Sequence, residues 1–289
     1  MNIEKAFITE GTSVFDFFQK PGVGFYIPLY QRQYSWDSNN IEQLLDDIEK
    51  GIETLITDKD ELRFLGTIIT VVENNPNNIQ PLDRSGLPPS VQFVIDGQQR
   101  LSTIALFSSV LYKKLIELEN KIPNQNEEAK SELIEAIIAW KEKIINIFSF
   151  DLRRGEPRLK PKIIRGSQDR WVKKGQIKQN YDSDVANYLA QFIEYSMDNL
   201  KKVKMDKLDE KSYVPKNLKQ IEKWLNKDVI NAHSNEDSEF PSAWEIVNST
   251  SEISESFIWG YKREELTPLI EAREIENKKS IEYITCSAV

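Results

Sequence analysis

Cysteine and histidine are nearly missing from this chain: among 289 residues there is one of each, Cys286 and His233. A lone cysteine excludes an intrachain disulfide framework and fits a reducing compartment. A lone histidine, in the polar stretch Asn231 to Glu239, excludes chemistries that gather several imidazoles or thiolates around a metal. Long apolar runs are missing as well. The longest, such as Phe64 to Val72, are too short to cross a bilayer, and the N-terminal MNIEKAF has no apolar signal core. No membrane partner and a cytoplasmic location are therefore expected. The P-loop signature, a glycine-rich loop ending in Gly-Lys-Ser or Gly-Lys-Thr, is absent, so a nucleotide site here would be of another type. Positive charge is also short. The formal net charge of -8 argues against a general nucleic-acid coat, because phosphate neutralisation supplies most non-specific affinity. What remains is ordinary globular material, 39% hydrophobic and 29% charged, long enough for a sizeable core and two lobes.

Against that background one segment stands out. Val91 to Ile95 is a β-branched apolar run with the composition of a buried strand, and Leu101, Ile104, Ser108, Leu111, Leu115 and Leu118 then recur as on one face of a helix. Asp96-Gly97-Gln98-Gln99-Arg100 therefore occupies a strand-to-helix turn, where first-turn N–H groups lack partners and the helix dipole favours negative charge. A glycine admits close approach, an arginine forks onto oxygens, two amides can orient a water, and a carboxylate can hold Mg²⁺. The same residues also suit a plain turn, since Asp-Gly is a common turn pair and Asp a common N-cap. A second polar cluster favours the site: Ile27 to Trp36, IPLYQRQYSW, places three aromatics around Gln31-Arg32, before a helix that Ser35 or Asp37 could cap. Tyr34 and Trp36 themselves read as core side chains.

These blocks carry a resemblance. IPLYQRQYSW, FLGTIIT (Phe64 to Thr70), IDGQQRLSTIALF (Ile95 to Phe107) and a weaker RLKPKIIRGSQDRW (Arg158 to Trp171) resemble the N-terminal domain of the GmrSD type IV restriction endonucleases, which recurs in other phage-defence proteins. The resemblance runs from about Phe25 to Trp171. That domain is similar to the ParB and sulfiredoxin fold, whose phosphate loop has a Gly-x-x-Arg pattern at a helix start; Gly97-Gln98-Gln99-Arg100 matches it. The resemblance implies binding and Mg²⁺-dependent hydrolysis of a nucleoside triphosphate, controlling an HNH nuclease that acts on modified DNA. One histidine cannot build an HNH site, so the nuclease is expected on another subunit or domain.

The pattern along the chain predicts short helix Thr12 to Phe18, strand Gly24 to Ile27, helix Asn39 to Ile56, strand Arg63 to Val72, a mobile excursion Glu73 to Ser90, and helix Ala129 to Phe148. Asp182 to Leu200, Pro215 to Ile230 and Trp244 to Glu276 read as largely helical. Strands gather in the first half and helices in the second, an α+β arrangement with a small mixed sheet of ParB and sulfiredoxin type and a mostly helical lobe. We expect a nucleotide-binding domain over 1–150 and a basic segment with the helical lobe over 151–289. Between Asp151 and Lys178 ten Lys or Arg face three acids, which suits either a solvated loop or a local contact with DNA or nucleotide phosphate through Arg153, Arg154, Arg158, Lys160 and Lys162. Gly66, inside an apparent strand, marks a bulge or a close approach by backbone or ligand.

In the mechanism these residues suggest, Gly97 and the following amides hold the phosphates, with Ser102 and Thr103 in reach. Arg100 and Arg32 neutralise developing charge, Asp96 anchors Mg²⁺ or orients the attacking water, and Gln98 or Gln99 positions that water. Tyr30 and Gln31 close the other wall, and Gly66 admits the nucleotide. Two other readings remain: a non-catalytic reader of phosphorothioate or glucosylated DNA, and a ParB-like clamp in which nucleotide drives a homodimer onto DNA.

Overall fold

The computed structural model describes residues 11–57, 64–120, 127–153, 156–172, 180–197, 200, 205–225, 257–258 and 261–262. Helix α1 (Val14–Gln19) is opened by Ser13, whose hydroxyl accepts the Asp16 N–H. Strand β1 (Val23–Ile27) follows and is buried along its whole length. Helix α2 (Ser38–Thr57) is capped by Asp37: its Oδ1 accepts the N–H groups of Asn39 at 3.1 Å and Asn40 at 3.2 Å, which settles the choice between Ser35 and Asp37. Then come β2 (Ile69–Val72), β3 (Ser90–Asp96), α3 (Gln98–Glu119) and α4 (Glu127–Phe148). The hairpin β4 (Ser149–Arg153) and β5 (Glu156–Pro161), β6 (Ile163–Arg165), α5 (Asp184–Met197) and α6 (Tyr213–Trp224) complete the body, and β7 (Phe257–Ile258) pairs with β8 (Tyr261–Lys262).

The main sheet has the order β2-β3-β1-β6, with β1 parallel to both β3 and β6 and β2 antiparallel on the edge. This is the α+β fold with a small mixed sheet that the sequence predicts. Three parallel strands consequently bring their C-terminal ends to one side, the place where ligands collect in sheets of this kind. Alternation along β1 divides the core: Val23, Phe25 and Ile27 join the large cluster with the helices, while Tyr26 joins a smaller one with Val91, Ile164, Trp171 and Tyr181. The large cluster runs through elements on both sides of residue 150. Among the described residues, no helix is long and apolar enough to cross a membrane.

Several expectations change. Helix α3 is buried all round from Leu101 to Tyr112, not on one face, because α4, α5 and α6 all pack on it. Strand β3 is half-buried: Val91 and Val94 are inside, while Ile95 and Asp96 are exposed beside an edge strand that covers little. Among the described residues of the Arg63 to Val72 stretch, strand pairing is confined to Ile69–Val72. The excursion 73–90 is tacked down rather than loose, with Ile79 in the smaller core cluster and Gly86 so close to Trp171 that a Cβ would meet its carbonyl oxygen at 2.2 Å. Phe257–Ile258 and Tyr261–Lys262 are strands, not helix; the rest of Trp244 to Glu276, like His233 and Cys286, lies outside the described residues.

The basic segment is not one surface loop, for it supplies β5 and β6. Lys160 and Lys162 are each 3% exposed, which removes both from a surface that could track DNA. The Lys162 ammonium donates to the carbonyls of Phe18 in α1 and Asn146 in α4, satisfying oxygens left over at two helix ends. Burial pulls its pKa down to about 8. Nothing is described for the side chains of Arg153, Arg154 and Arg158.

Candidate phosphate-binding site

Strand β3 ends at Asp96, and Gly97 turns the chain into α3 with φ of 84°, a left-handed conformation that glycine adopts without strain. A Cβ here would stand 2.9 Å from the Thr67 carbonyl oxygen. Gly97 occupies the N-cap position and brings no side-chain acceptor, so the first-turn N–H groups of α3 have no cap from that residue. Asp96 is exposed at this point, and its neighbour across the sheet is Ile69.

On one side of this turn lies the segment 31–36, fixed by side-chain amides. Gln99, 7% exposed, accepts the N–H groups of Ser35 at 2.8 Å and Trp36 at 3.2 Å and donates to the Gln33 carbonyl at 3.0 Å. Gln98 donates to the Arg32 carbonyl at 2.6 Å, and Gln31 donates to the Ile95 carbonyl at 2.5 Å. Arg165, at the end of β6, donates from its two terminal nitrogens to the carbonyls of Arg32 at 3.0 Å and Gln31 at 2.6 Å. The two sequence motifs are thus one structure, joined through backbone hydrogen bonds, with the Tyr30 ring and the Arg32 side chain left facing solvent. Ser102 and Thr103 are buried rather than open at the helix start. Thr103 pairs with the Tyr34 hydroxyl at 2.8 Å and back-bonds to the Gln99 carbonyl at 2.9 Å.

On the other side lies the segment 64–68. Gly66 has φ of 110°, and a Cβ there would stand 2.5 Å from the Arg100 guanidinium carbon. The close approach that Gly66 permits is therefore that of Arg100, whose guanidinium lies on the Gly66 backbone and donates to the Thr67 carbonyl at 3.0 Å. Arg100 stays half-exposed.

A cavity of about 60 Å³ opens where β1 and β6 end, between the first turns of α3 and α5, lined by Ile27, Tyr34, Gln98, Ser102, Arg165 and Asp184. It has room for a few waters. Two atoms of its wall residues, Arg165 Nε and Gln168 Oε1, are buried without a protein partner, so its surroundings are polar as well as enclosed. Asp169 fixes this corner: its carboxylate accepts the N–H groups of Arg165 at 2.7 Å, Asp182 at 2.9 Å and Ser183 at 2.8 Å, plus the Ser183 hydroxyl at 2.5 Å. Burial raises its pKa against those bonds. Burial likewise pushes the Tyr34 hydroxyl up to about 12, so it stays a neutral donor and acceptor.

For a metal, the described residues hold no cluster of three or more His, Cys, Asp or Glu. One exposed carboxylate, Asp96, beside a turn suited to phosphates fits Mg²⁺, which is commonly held by one or two carboxylates with substrate phosphates supplying further oxygens. Arg165 and Asn217 are the residues that sequence reasoning missed. Arg165 sits in the weak RLKPKIIRGSQDRW block but reads there as one more basic residue, and nothing local marks Asn217, far along the chain in α6.

The description "GmrSD restriction endonuclease, N-terminal domain" matches residues 14–284. The chain belongs to this family. It is a component of a restriction system, consistent with phage defence. No curated protein gives a significant match to it.

Proposed function

We propose that this GmrSD-family chain binds and hydrolyses a nucleoside triphosphate, and that the nucleotide state governs an HNH nuclease, on another domain or subunit, directed at modified DNA. The observation that carries this reading is the start of α3: a left-handed glycine after a parallel strand, first-turn N–H groups that Gly97 does not cap, an exposed Asp96 before it, a half-exposed Arg100 within it, and the segment bearing Arg32 hydrogen-bonded alongside through Gln98. A Gly-x-x-Arg turn in this place also supports a phosphate loop of ParB and sulfiredoxin type.

In this mechanism the N–H groups after Gly97 hold the terminal phosphates. Arg100 leaves the Thr67 carbonyl to fork onto a phosphate oxygen, and Arg32 approaches from the opposite side, both neutralising charge that grows in the transition state. Asp96 would hold Mg²⁺, and the ion would supply neutralisation of phosphate charge there. Gln99 holds the 31–36 segment instead of the attacking water, because both ends of its amide are engaged with that backbone, whereas Gln98 donates only from Nε2 to the Arg32 carbonyl and its Oε1 remains the candidate to position the water. Arg153, Arg154 and Arg158 are the remaining candidates for a DNA contact.

The engagement of the Gln99 amide at both ends favours one alternative in particular, a nucleotide-gated clamp that turns over slowly and changes its oligomeric state. Purified protein incubated with Mg²⁺ and each of ATP, GTP, CTP and UTP distinguishes them. Sustained phosphate release, with plasmid left intact until an HNH partner is added, supports the hydrolytic reading. Nucleotide-dependent dimerisation without release supports the clamp, and metal-dependent nicking by this chain alone, abolished in Asp96→Ala, overturns both.

A further inference from the structure

The helical lobe reaches the phosphate site through one buried side chain. Asn217 of α6 is 0% exposed, and its Nδ2 donates to the Tyr34 hydroxyl at 3.0 Å and to the Trp36 carbonyl at 2.8 Å. One turn further on, Gln220 donates to the Ser38 carbonyl at 3.0 Å. The Tyr34 hydroxyl stands 2.8 Å from Thr103 Oγ1, and Thr103 Oγ1 stands 2.9 Å from the Gln99 carbonyl.

The chemistry of the two ends fixes the direction of this chain. The Asn217 amide nitrogen can only donate and the Gln99 carbonyl can only accept. Asn217 therefore donates to Tyr34, Tyr34 to Thr103, and Thr103 to the main-chain carbonyl of Gln99. Gln99 is the residue whose side-chain amide grips Gln33, Ser35 and Trp36. The segment bearing Arg32 is consequently held from two directions, by Gln99 of α3 and by Asn217 of α6, and the two holds are linked through Tyr34 and Thr103. Low surrounding polarity makes such a chain cooperative. The Asn217 Oδ1 atom is buried with no partner, so the side chain is not simply a well-satisfied core amide.

We infer that Asn217 is a positioning residue, through which α6 sets the placement of the 31–36 segment over the phosphate turn and so tunes the site from the helical lobe. The inference rests on the nucleotide reading for its consequence, but not for its geometry, and the test separates the two.

Asn217→Leu, Tyr34→Phe and the double variant are compared with wild type by two measurements. Hydrogen exchange at the Ser35 and Trp36 amides needs no nucleotide; it should speed up about tenfold or more in Asn217→Leu, with the fold intact, because the segment loses its hold from α6. Triphosphate turnover should fall about tenfold in kcat/KM in each single variant, and the double variant should be no worse than the more severe single one, since both cut the same chain. Tyr34→Phe preserves packing and carries the test if Asn217→Leu fails to fold. Unchanged exchange at Ser35 and Trp36, or losses that multiply in the double variant, overturn the inference. A wild-type protein without turnover overturns the hydrolytic reading and leaves exchange to decide the role of Asn217.

Discussion

The two walls beside the start of α3 are built in opposite ways. The 31–36 wall is held by Gln98, Gln99, Gln31, Arg165 and Asn217, nearly all through backbone carbonyls and amides, and the side chains that hold it are mostly buried. The 64–68 wall meets α3 through the Arg100 guanidinium at Gly66 and Thr67, and Phe64 is left 81% exposed. The contrast separates the DGQQR residues into two kinds. The glutamines are buried and hydrogen-bonded to the neighbouring segment; the arginine and aspartate remain half-exposed and exposed.

The sharpest way to break this contrast is Gln99→Leu. It leaves the Ser35 and Trp36 N–H groups and the Gln33 carbonyl without their partner, and should destabilise the protein by ~3–5 kcal/mol, read by urea melts. A variant as stable as wild type would mean that the wall holds itself. Next in size is a charge effect at the core. The Lys162 pKa of about 8 in the folded chain is below its ordinary 10.5, so between those values the unfolded state binds more protons and stability rises with pH, by up to ~3 kcal/mol. Lys162→Met should flatten that rise, checked by melts at pH 7.5 and 10. Gly97→Ala should reduce stability by ~1–2 kcal/mol, from a left-handed backbone and a crowded Thr67 carbonyl, and with it most triphosphate binding by titration calorimetry. The smallest expected effect is that of Arg153, Arg154 and Arg158 changed together to Glu: the slope of DNA affinity against salt falls by about one for each DNA phosphate no longer neutralised.

How much is legible in the sequence follows the same division. The turn at Gly97 is readable because a β-branched run, a glycine and a helical period stand next to one another in the chain. The pairing of the two motifs is readable only as a resemblance, since the bonds that join them run between positions more than sixty residues apart, as from Gln99 to Ser35. The structural part that Gln99 plays is invisible for that reason: an amide beside a phosphate turn and an amide clamping a distant backbone look identical in sequence. Lys160 and Lys162 mislead similarly, because the basic run hides two short strands, β5 with Lys160 and β6 just after Lys162, and neither shows an apolar stretch long enough to announce it. Asn217 carries no local signal, for its partners are Tyr34 and Trp36.

The most direct measurement is made on Arg100→Ala, for both folding and phosphate release. Removing one hydrogen bond from a half-exposed guanidinium should shift stability by no more than ~1 kcal/mol, whereas removing a charge-assisted bond to the transition state should slow turnover by roughly thirty- to a thousand-fold. A folded variant that still releases phosphate at the wild-type rate, or one that unfolds outright, would contradict the claim that Arg100 is poised for the ligand while the glutamines hold the fold.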